Sequence, residues 1–342
     1  MPLSDDLELG AVLNPFALQM QFKLPTFPPK KKVLVISGPT GVGKSKLAVD
    51  LALLIDGEII SADSMQIYRG MDIGTAKIPE KERQGIRHHL IDSKDLDEDS
   101  NVVDYCQEAK QAIKEVFSRD RIPIVVGGTG FYLHALIYGP PGGPAKDSAL
   151  RQSLHAELEA LGSPALYARL EQLDPEYAAK ITARDRHKII RALEIIHLTH
   201  QKVSYFSPAV PDKESYDFHA WFLYKPKETL YPLLEKRCEQ MLEEGFVQEV
   251  EKLQSAGLEN NSSARQAIGY RQALEYLKSD RSESSYEKFK MLFKQATRRY
   301  AKRQMTWFRK EPLFRWVDIE KAGERNLIEW ILQDFEKGLM GS

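Results

Sequence analysis

The chain has 342 residues, more than one small core uses, and suits an α/β domain carrying an extra helical lobe. Its 48 Lys and Arg stand against 49 Asp and Glu, so any nucleic-acid surface must be a local patch and not a global field. The two distant cysteines, Cys106 and Cys238, have no metal spacing and fit buried thiols of a reducing compartment.

No apolar run nears the roughly 20 residues that span a bilayer, and the start is acidic where a signal peptide is basic. A cytoplasmic protein with no membrane partner is expected. Residues 1–27 form an extension with no assignable role, and the Pro- and Lys-rich stretch from Pro25 to Lys32 leads into the first strand.

In chain order, Lys32 to Ser37 (KVLVIS) predicts a buried strand, broken by Gly and Pro before a helical pattern over Lys44 to Leu54. A second strand, Glu58 to Ala62, ends at Asp63. An amphipathic helix over Val102 to Ser118 separates it from a third, Ile122 to Val126, which ends at Gly127, Gly128 and Thr129. Alternating strands and helices imply a parallel sheet whose ligands gather at the carboxyl ends of its strands, so Asp63 and Thr129 should face the same crevice as the first loop.

From Gly139 to Pro144 (GPPGGP) the chain reads as a linker, followed by a helical, charge-rich run to about Thr199. A strand-like segment, Phe218 to Leu223, then precedes helical patterns through Leu253 and again from Gln266 to Arg309. This predicts a core domain of residues 28–140 and 210–320, a helical insertion domain of 141–209, and a tail of 321–342.

The first loop carries Gly38, Pro39, Thr40, Gly41, Val42, Gly43, Lys44 and Ser45, a G-x-x-x-x-G-K-S string between a strand and a helix. Successive backbone N–H groups and the helix dipole make an anion hole, Lys44 adds a mobile cation, and Ser45 is the Mg²⁺ ligand such a loop supplies. The fold is therefore expected to be an α/β, P-loop NTPase-like parallel sheet flanked by helices, with a helical insertion. A hydrolase of this kind usually places an acid at a strand end to hold Mg²⁺ and water, but IPIVVGGTG offers none. The site thus looks better suited to a diphosphate that departs as a leaving group. Asp63, after the second strand, is the best general-base candidate, although aspartates there also serve as turn or cap residues.

GPTGVGKS, ISADSMQIYRGMDIGTAK, RHHLID, VVGGTGFYLHAL, DRHKIIRALEI, AIGYRQ and RRYAKRQMTWFRK follow one another from about Val33 to Arg309. In these segments and their order the chain resembles the tRNA dimethylallyltransferase family. The resemblance implies transfer of a five-carbon group from dimethylallyl diphosphate to N6 of the adenosine following the anticodon, releasing pyrophosphate. Lys44, Mg²⁺ and backbone donors would stabilise the leaving group, and Asp63 would orient and deprotonate the amine. Thr129 would lie in the reaction channel, and Arg237 would add a cation near the pyrophosphate.

The amine of a stacked base is out of reach, so the target must be turned out of the stack. By resemblance, Asp63, Ser64, Met65, Gln66 and Thr129 would lie beside it, with Gln266, Gly269, Tyr270 and Arg271. There Tyr270 could stack on a base and Arg271 could meet a phosphate. Arg151, His187, Lys188, Ile189, Ile190 and Arg191 of the insertion would grip the anticodon stem-loop.

Between Lys288 and Lys310 lies the local basic patch: Lys290, Lys294, Arg298, Arg299, Lys302, Arg303 and Arg309, interleaved with Phe293, Tyr300, Trp307 and Phe308 and without an acid. Two details depart from the family pattern: Lys188 stands where arginine is common, and Thr199-His200 replaces a common Thr-Gly. The lack of a Cys-His zinc finger after the core makes the likeness one to the bacterial form, expected to act as a monomer. The rivals are a P-loop small-molecule kinase, an adenylate isopentenyltransferase acting on free nucleotide, and a noncatalytic RNA-binding protein.

Overall fold

The computed structural model describes residues 31–206 and 216–337, so the expected extension at 1–27 lies outside the described residues. They divide into two compact units, the first drawing on residues 31–137 and 216–337 and the second on residues 138–206.

The first unit is built on one six-stranded sheet. β1 (Lys32–Ser37), β2 (Gly57–Ser61), β3 (His88–His89), β4 (Ile122–Gly127), β5 (Asp217–Tyr224) and β6 (Arg315–Asp318) line up in the order β3-β2-β4-β1-β5-β6. Every pairing is parallel. Such a sheet must be covered on both faces, and the side chains of each strand alternate between two cores. Leu34, Ile36, Ile59, Ile124 and Val126 turn to one face, while Val33, Val35, Ile60 and Val125 turn to the other.

On the first face lies α1 (Lys44–Ile55), which buries Leu47, Ala48, Leu51 and Ala52. On the second lie α2 (Val102–Ser118), opened by a capping box between Asn101 and Asp104, and α3 (Gly130–Tyr138). The second unit holds α4 (Ser148–Leu161), α5 (Ser163–Leu173), α6 (Pro175–Ala178) and α7 (Arg186–Thr199), closed around Leu154, Leu158, Leu166, Leu170, Ile189 and Leu193. His200 ends α7 in the left-handed conformation (φ 54°), the role a glycine fills at no steric cost.

α8 (Lys227–Glu243), α9 (Phe246–Ser255), α10 (Tyr270–Leu277) and α11 (Glu283–Phe308) return to the first unit and form a third apolar cluster with Ile67, Tyr68 and Met71. Two expectations change here. The continuous pattern from Gln266 to Arg309 is broken between α10 and α11, because Arg281 adopts φ 53° and Ser282 caps α11 by accepting from the Ser285 N–H. Residues 321–342, expected as a tail, include α13 (Glu324–Lys337), whose Leu327, Ile328, Ile331, Leu332 and Phe335 are buried in the first-face core; α12 (Ile319–Ala322) precedes it. The edge strands β3 and β6 are too short to leave a readable pattern.

Because Ile331 is fully enclosed, Ile331→Ala is expected to cost about 2–4 kcal/mol in urea unfolding. A loss under about 0.5 kcal/mol, the scale of a surface substitution, would mark α13 as detachable.

Candidate active site

Backbone hydrogen bonds continue past the ends of the strands and bring three loops together. Ala62 N–H donates to the Val126 carbonyl (2.7 Å), Thr129 N–H donates to the Ala62 carbonyl (3.2 Å), and Ser37 Oγ donates to the Gly127 carbonyl (2.9 Å). The approach is so close that a Cβ on Gly127 would stand 2.1 Å from the Ala62 oxygen, which accounts for the glycine where a strand favours a branched residue. Ser64 N–H then donates to Thr129 Oγ1 (3.2 Å). Asp63 and Thr129 are thereby locked side by side.

The loop from Gly38 to Ser45 passes left-handed through Gly41 (φ 76°) and Gly43 (φ 97°) before opening α1. Asp63 accepts at Oδ1 from the N–H groups of Met65 (2.9 Å) and Gln66 (3.3 Å), so it is the turn residue that its position allowed and also lines the cleft. The cleft, about 1400 Å³, is also lined by Thr40, Gly41, Gly43, Lys44, Ser45, Ser64, Met65, Gln66, Arg237, Gln266 and Tyr270. That exceeds the usual size of a small-ligand pocket and leaves room for two reactants.

Two cations share this space. Burial and the neighbouring Arg237 push Lys44 down to about 7, against the opposing pull of Asp63. Burial lowers Arg237 as well. Lys44 Nζ meanwhile donates to the Pro39 carbonyl (2.8 Å). Both are half-buried, and the cost of holding their charge there is one that a bound polyanion would relieve. For Mg²⁺, the cleft offers the exposed Ser45 and the acid Asp63, and the described residues contain no cluster of three or more His, Cys, Asp or Glu that could cage a metal. Hard oxygen donors in small number fit a Mg²⁺ that keeps waters and takes its remaining ligands from a diphosphate.

α11 contributes residues whose importance sequence reasoning missed. Buried Gln304 accepts at Oε1 from Thr40 N–H (2.9 Å) and donates from Nε2 to the Gly128 carbonyl (3.0 Å), stapling the phosphate loop to the β4 loop. Tyr300, whose ionisation is pushed well up by burial and by Asp63, hydrogen-bonds Thr129. The basic run was read for its charges, so Gln304 drew no attention; its burial on the apolar face of the helix is the signal.

Several expected RNA contacts meet obstacles. Tyr270 is fully buried, edge-on to Phe246 with ring centroids 5.0 Å apart, and cannot stack on a base. Gly269 is buried, and Gln266 and Arg271 are exposed. In the second unit Ile189 and Ile190 are core residues, so their side chains cannot touch RNA. Arg151 and Arg191 each donate to buried Glu194 (2.7 and 2.8 Å), whereas His187 and Lys188 are exposed.

The basic patch divides likewise. Lys294 and Arg298 pair with Glu239 and Glu235 of α8, and Phe293 and Phe308 are core, but Arg299, Lys302, Arg303 and Trp307 line a second concavity of about 690 Å³. Cys106 and Cys238 are buried and are not joined in a disulfide. No helix among the described residues is long and apolar enough to cross a membrane.

The family model for IPP transferase matches residues 66–311. The tRNA dimethylallyltransferase of Protochlamydia amoebophila is 54% identical over 332 residues, 96% of each chain. That of Chlamydia muridarum is 48% identical over 308 residues, 90% of this chain and 98% of its own. Among solved structures, the full-length tRNA isopentenylpyrophosphate transferase of Bacillus halodurans superposes with a TM-score of 0.65 at 39% identity, covering 90% of this chain and 98% of its own. A eukaryotic dimethylallyltransferase captured acting on tRNA gives a TM-score of 0.73 at 30% identity, covering 90% and 80%.

With Lys44 near 7 in the free cleft and raised again when an anion binds, its ammonium is present below pH 7 and must be regained from solvent above it. The affinity advantage of the unaltered chain over Lys44→Ala for inorganic pyrophosphate, followed by calorimetry, is expected to shrink by up to about tenfold per pH unit above pH 7. An advantage constant from pH 6.5 to about 8.5 would contradict the lowered Lys44.

Proposed function

Since the chain belongs to the IPP transferase family of tRNA dimethylallyltransferases, we propose that it prenylates tRNA, with dimethylallyl diphosphate as donor and N6 of the adenosine 3′ of the anticodon as acceptor. The observation that carries this reading is the convergence of the Gly38–Ser45 loop, Lys44, Arg237 and Asp63 on a single cleft with space for a second reactant.

In this reaction the N6 lone pair attacks C1 of the dimethylallyl group, the C1–O bond breaks, and pyrophosphate leaves with the bonding electrons. The backbone N–H groups of the Gly38–Ser45 loop, Lys44 and Arg237 receive the charge growing on the bridging oxygen, which is where preorganised donors help most. Ser45 would hold Mg²⁺, which when bound would supply further positive charge to offset that of the departing pyrophosphate. Asp63 takes the proton from N6. Its Oδ1 is already fixed by the Met65 and Gln66 amides, so Oδ2 is the oxygen assigned to the base role, while Thr129, bonded to Ser64 and Tyr300, keeps the channel wall in register.

The tRNA is assigned to the exposed basic surface of α11 around Arg299, Lys302, Arg303 and Trp307, and to His187 and Lys188 of the second unit, with the anticodon stem-loop as the part engaged. Cytoplasmic tRNA is the expected substrate pool.

Incubation with dimethylallyl diphosphate, Mg²⁺ and unmodified tRNA should give prenylated adenosine without ATP, read by mass spectrometry of digested RNA. Product formed equally well on free AMP, or only with ATP, would reject the assignment. Asp63→Asn is expected to retain tRNA binding and to lower kcat by about 10²- to 10⁴-fold; turnover near that of the unaltered chain would remove Asp63 from the base role.

A further inference from the structure

One carboxylate that touches neither proposed reactant is committed to the shape of the cleft. Glu249, on α9, accepts at Oε2 from the N–H groups of Asp72 (3.0 Å) and Ile73 (2.6 Å), and at Oε1 from Gly74 N–H (3.1 Å) and the Tyr270 hydroxyl (2.6 Å). Successive peptide N–H groups turned onto one point form the concavity that in other proteins receives a phosphate or other anion. Here the protein fills it with its own carboxylate, and bonds to an ionised acceptor are the strong kind.

The loop so held is part of the cleft wall. It rests on aromatic rings at van der Waals limits, since a Cβ on Gly74 would meet Phe246 at 2.3 Å and Tyr270 at 2.5 Å. Its next residue, Thr75, is fixed by its own Oγ1 donating to the Met71 carbonyl (2.6 Å) and in turn accepts at its carbonyl from Gln66 Nε2 (3.2 Å). A continuous chain of hydrogen bonds therefore runs from Tyr270 through Glu249 and the 72–75 loop to the Gln66 amide.

We propose that Glu249 and Tyr270 are positioning residues for the base-binding side of the cleft, holding residues 72–75 so that the Thr75 carbonyl aims the Gln66 amide at the target adenine. This rests on the prenyl-transfer reading, deepens it at the acceptor subsite, and gives buried Tyr270 a role that does not require it to meet RNA. A side-chain amide whose one N–H is already spent on Thr75 presents its remaining N–H and its carbonyl in a fixed orientation, the arrangement that reads a base edge.

The test is steady-state prenylation by the full chain with dimethylallyl diphosphate, Mg²⁺ and unmodified tRNA, comparing Glu249→Gln, Tyr270→Phe, Gln66→Ala and the two double variants with Gln66→Ala. Glu249→Gln is expected to raise KM for tRNA about tenfold, the worth of a lost charge-assisted contact, and Tyr270→Phe to raise it less. KM for dimethylallyl diphosphate should stay within about twofold. Gln66→Ala should add little in either variant, because coupled residues are not additive.

Additive effects, or a lowered unfolding midpoint with both KM values unchanged, would overturn the assignment. Should Glu249→Gln not fold, the Tyr270→Phe and Gln66→Ala cycle decides by the same criterion. Absence of turnover by the unaltered chain, seen before any substitution, would overturn the prenyl-transfer reading and this assignment with it.

Discussion

Past the last ladder residues of β2 and β4, the Ala62 and Thr129 N–H groups continue to donate across the gap, to Val126 and Ala62 respectively. Everything chemical in the cleft depends on that extension. In a parallel sheet the carboxyl ends of adjacent strands emerge on the same edge, so zipping the β2 and β4 loops beside the β1 loop forces an acid, a hydroxyl and an anion cradle into one crevice. Gly127 permits it, since any side chain there would strike the Ala62 carbonyl. Gln304 then closes the third side by joining Thr40 to Gly128 through a single buried amide.

The electrostatics follow from the same enclosure. Partial removal from water lowers both Lys44 and Arg237, and Arg237 further disfavours the charged form of Lys44, so the free cleft holds positive charge at a cost. In the proposed reaction a diphosphate would reverse that cost, and the reversal would grow as the bridging oxygen gains charge, favouring the transition state over the bound substrate. A single acid, Asp63, stands near enough to be felt by Lys44, Arg237 and Tyr300. An acid coupled to both Lys44 and Arg237 and to Tyr300 is well situated for the base role proposed for it.

Much of this was legible in the sequence where one residue type can do only one job. The phosphate loop, the three central strands and α2 are signalled by glycine spacing, β-branched runs and a clean amphipathic period, and their ends fall within a residue of expectation. Edge strands of two and four residues have no period to detect. α13 is an ordinary amphipathic helix in sequence, and nothing local says that its apolar stripe completes the sheet's first face.

The site divides along the same line. Lys44 and Asp63 stand out because of where the strands end, but Gln304, Tyr300 and Glu249 act across separations of 264, 171 and 177 residues, which no local pattern encodes. The reverse error has the same cause: Tyr270, Ile189 and Ile190 sit within motifs that suggest contact with RNA, yet tertiary packing turns their side chains inward. Charge runs mislead in a milder way, since Lys294 and Arg298 of α11 are answered by acids of α8 that the sequence keeps far away.

The central claim is that the anion loop serves a leaving group and not a transferable phosphate. It is tested most directly by counting products in a single turnover of dimethylallyl diphosphate labelled in its diphosphate, with tRNA in excess. One labelled pyrophosphate for each prenyl group found on RNA, with no label on RNA and no orthophosphate, is the expected result; label transferred to RNA, or orthophosphate in its place, would contradict it.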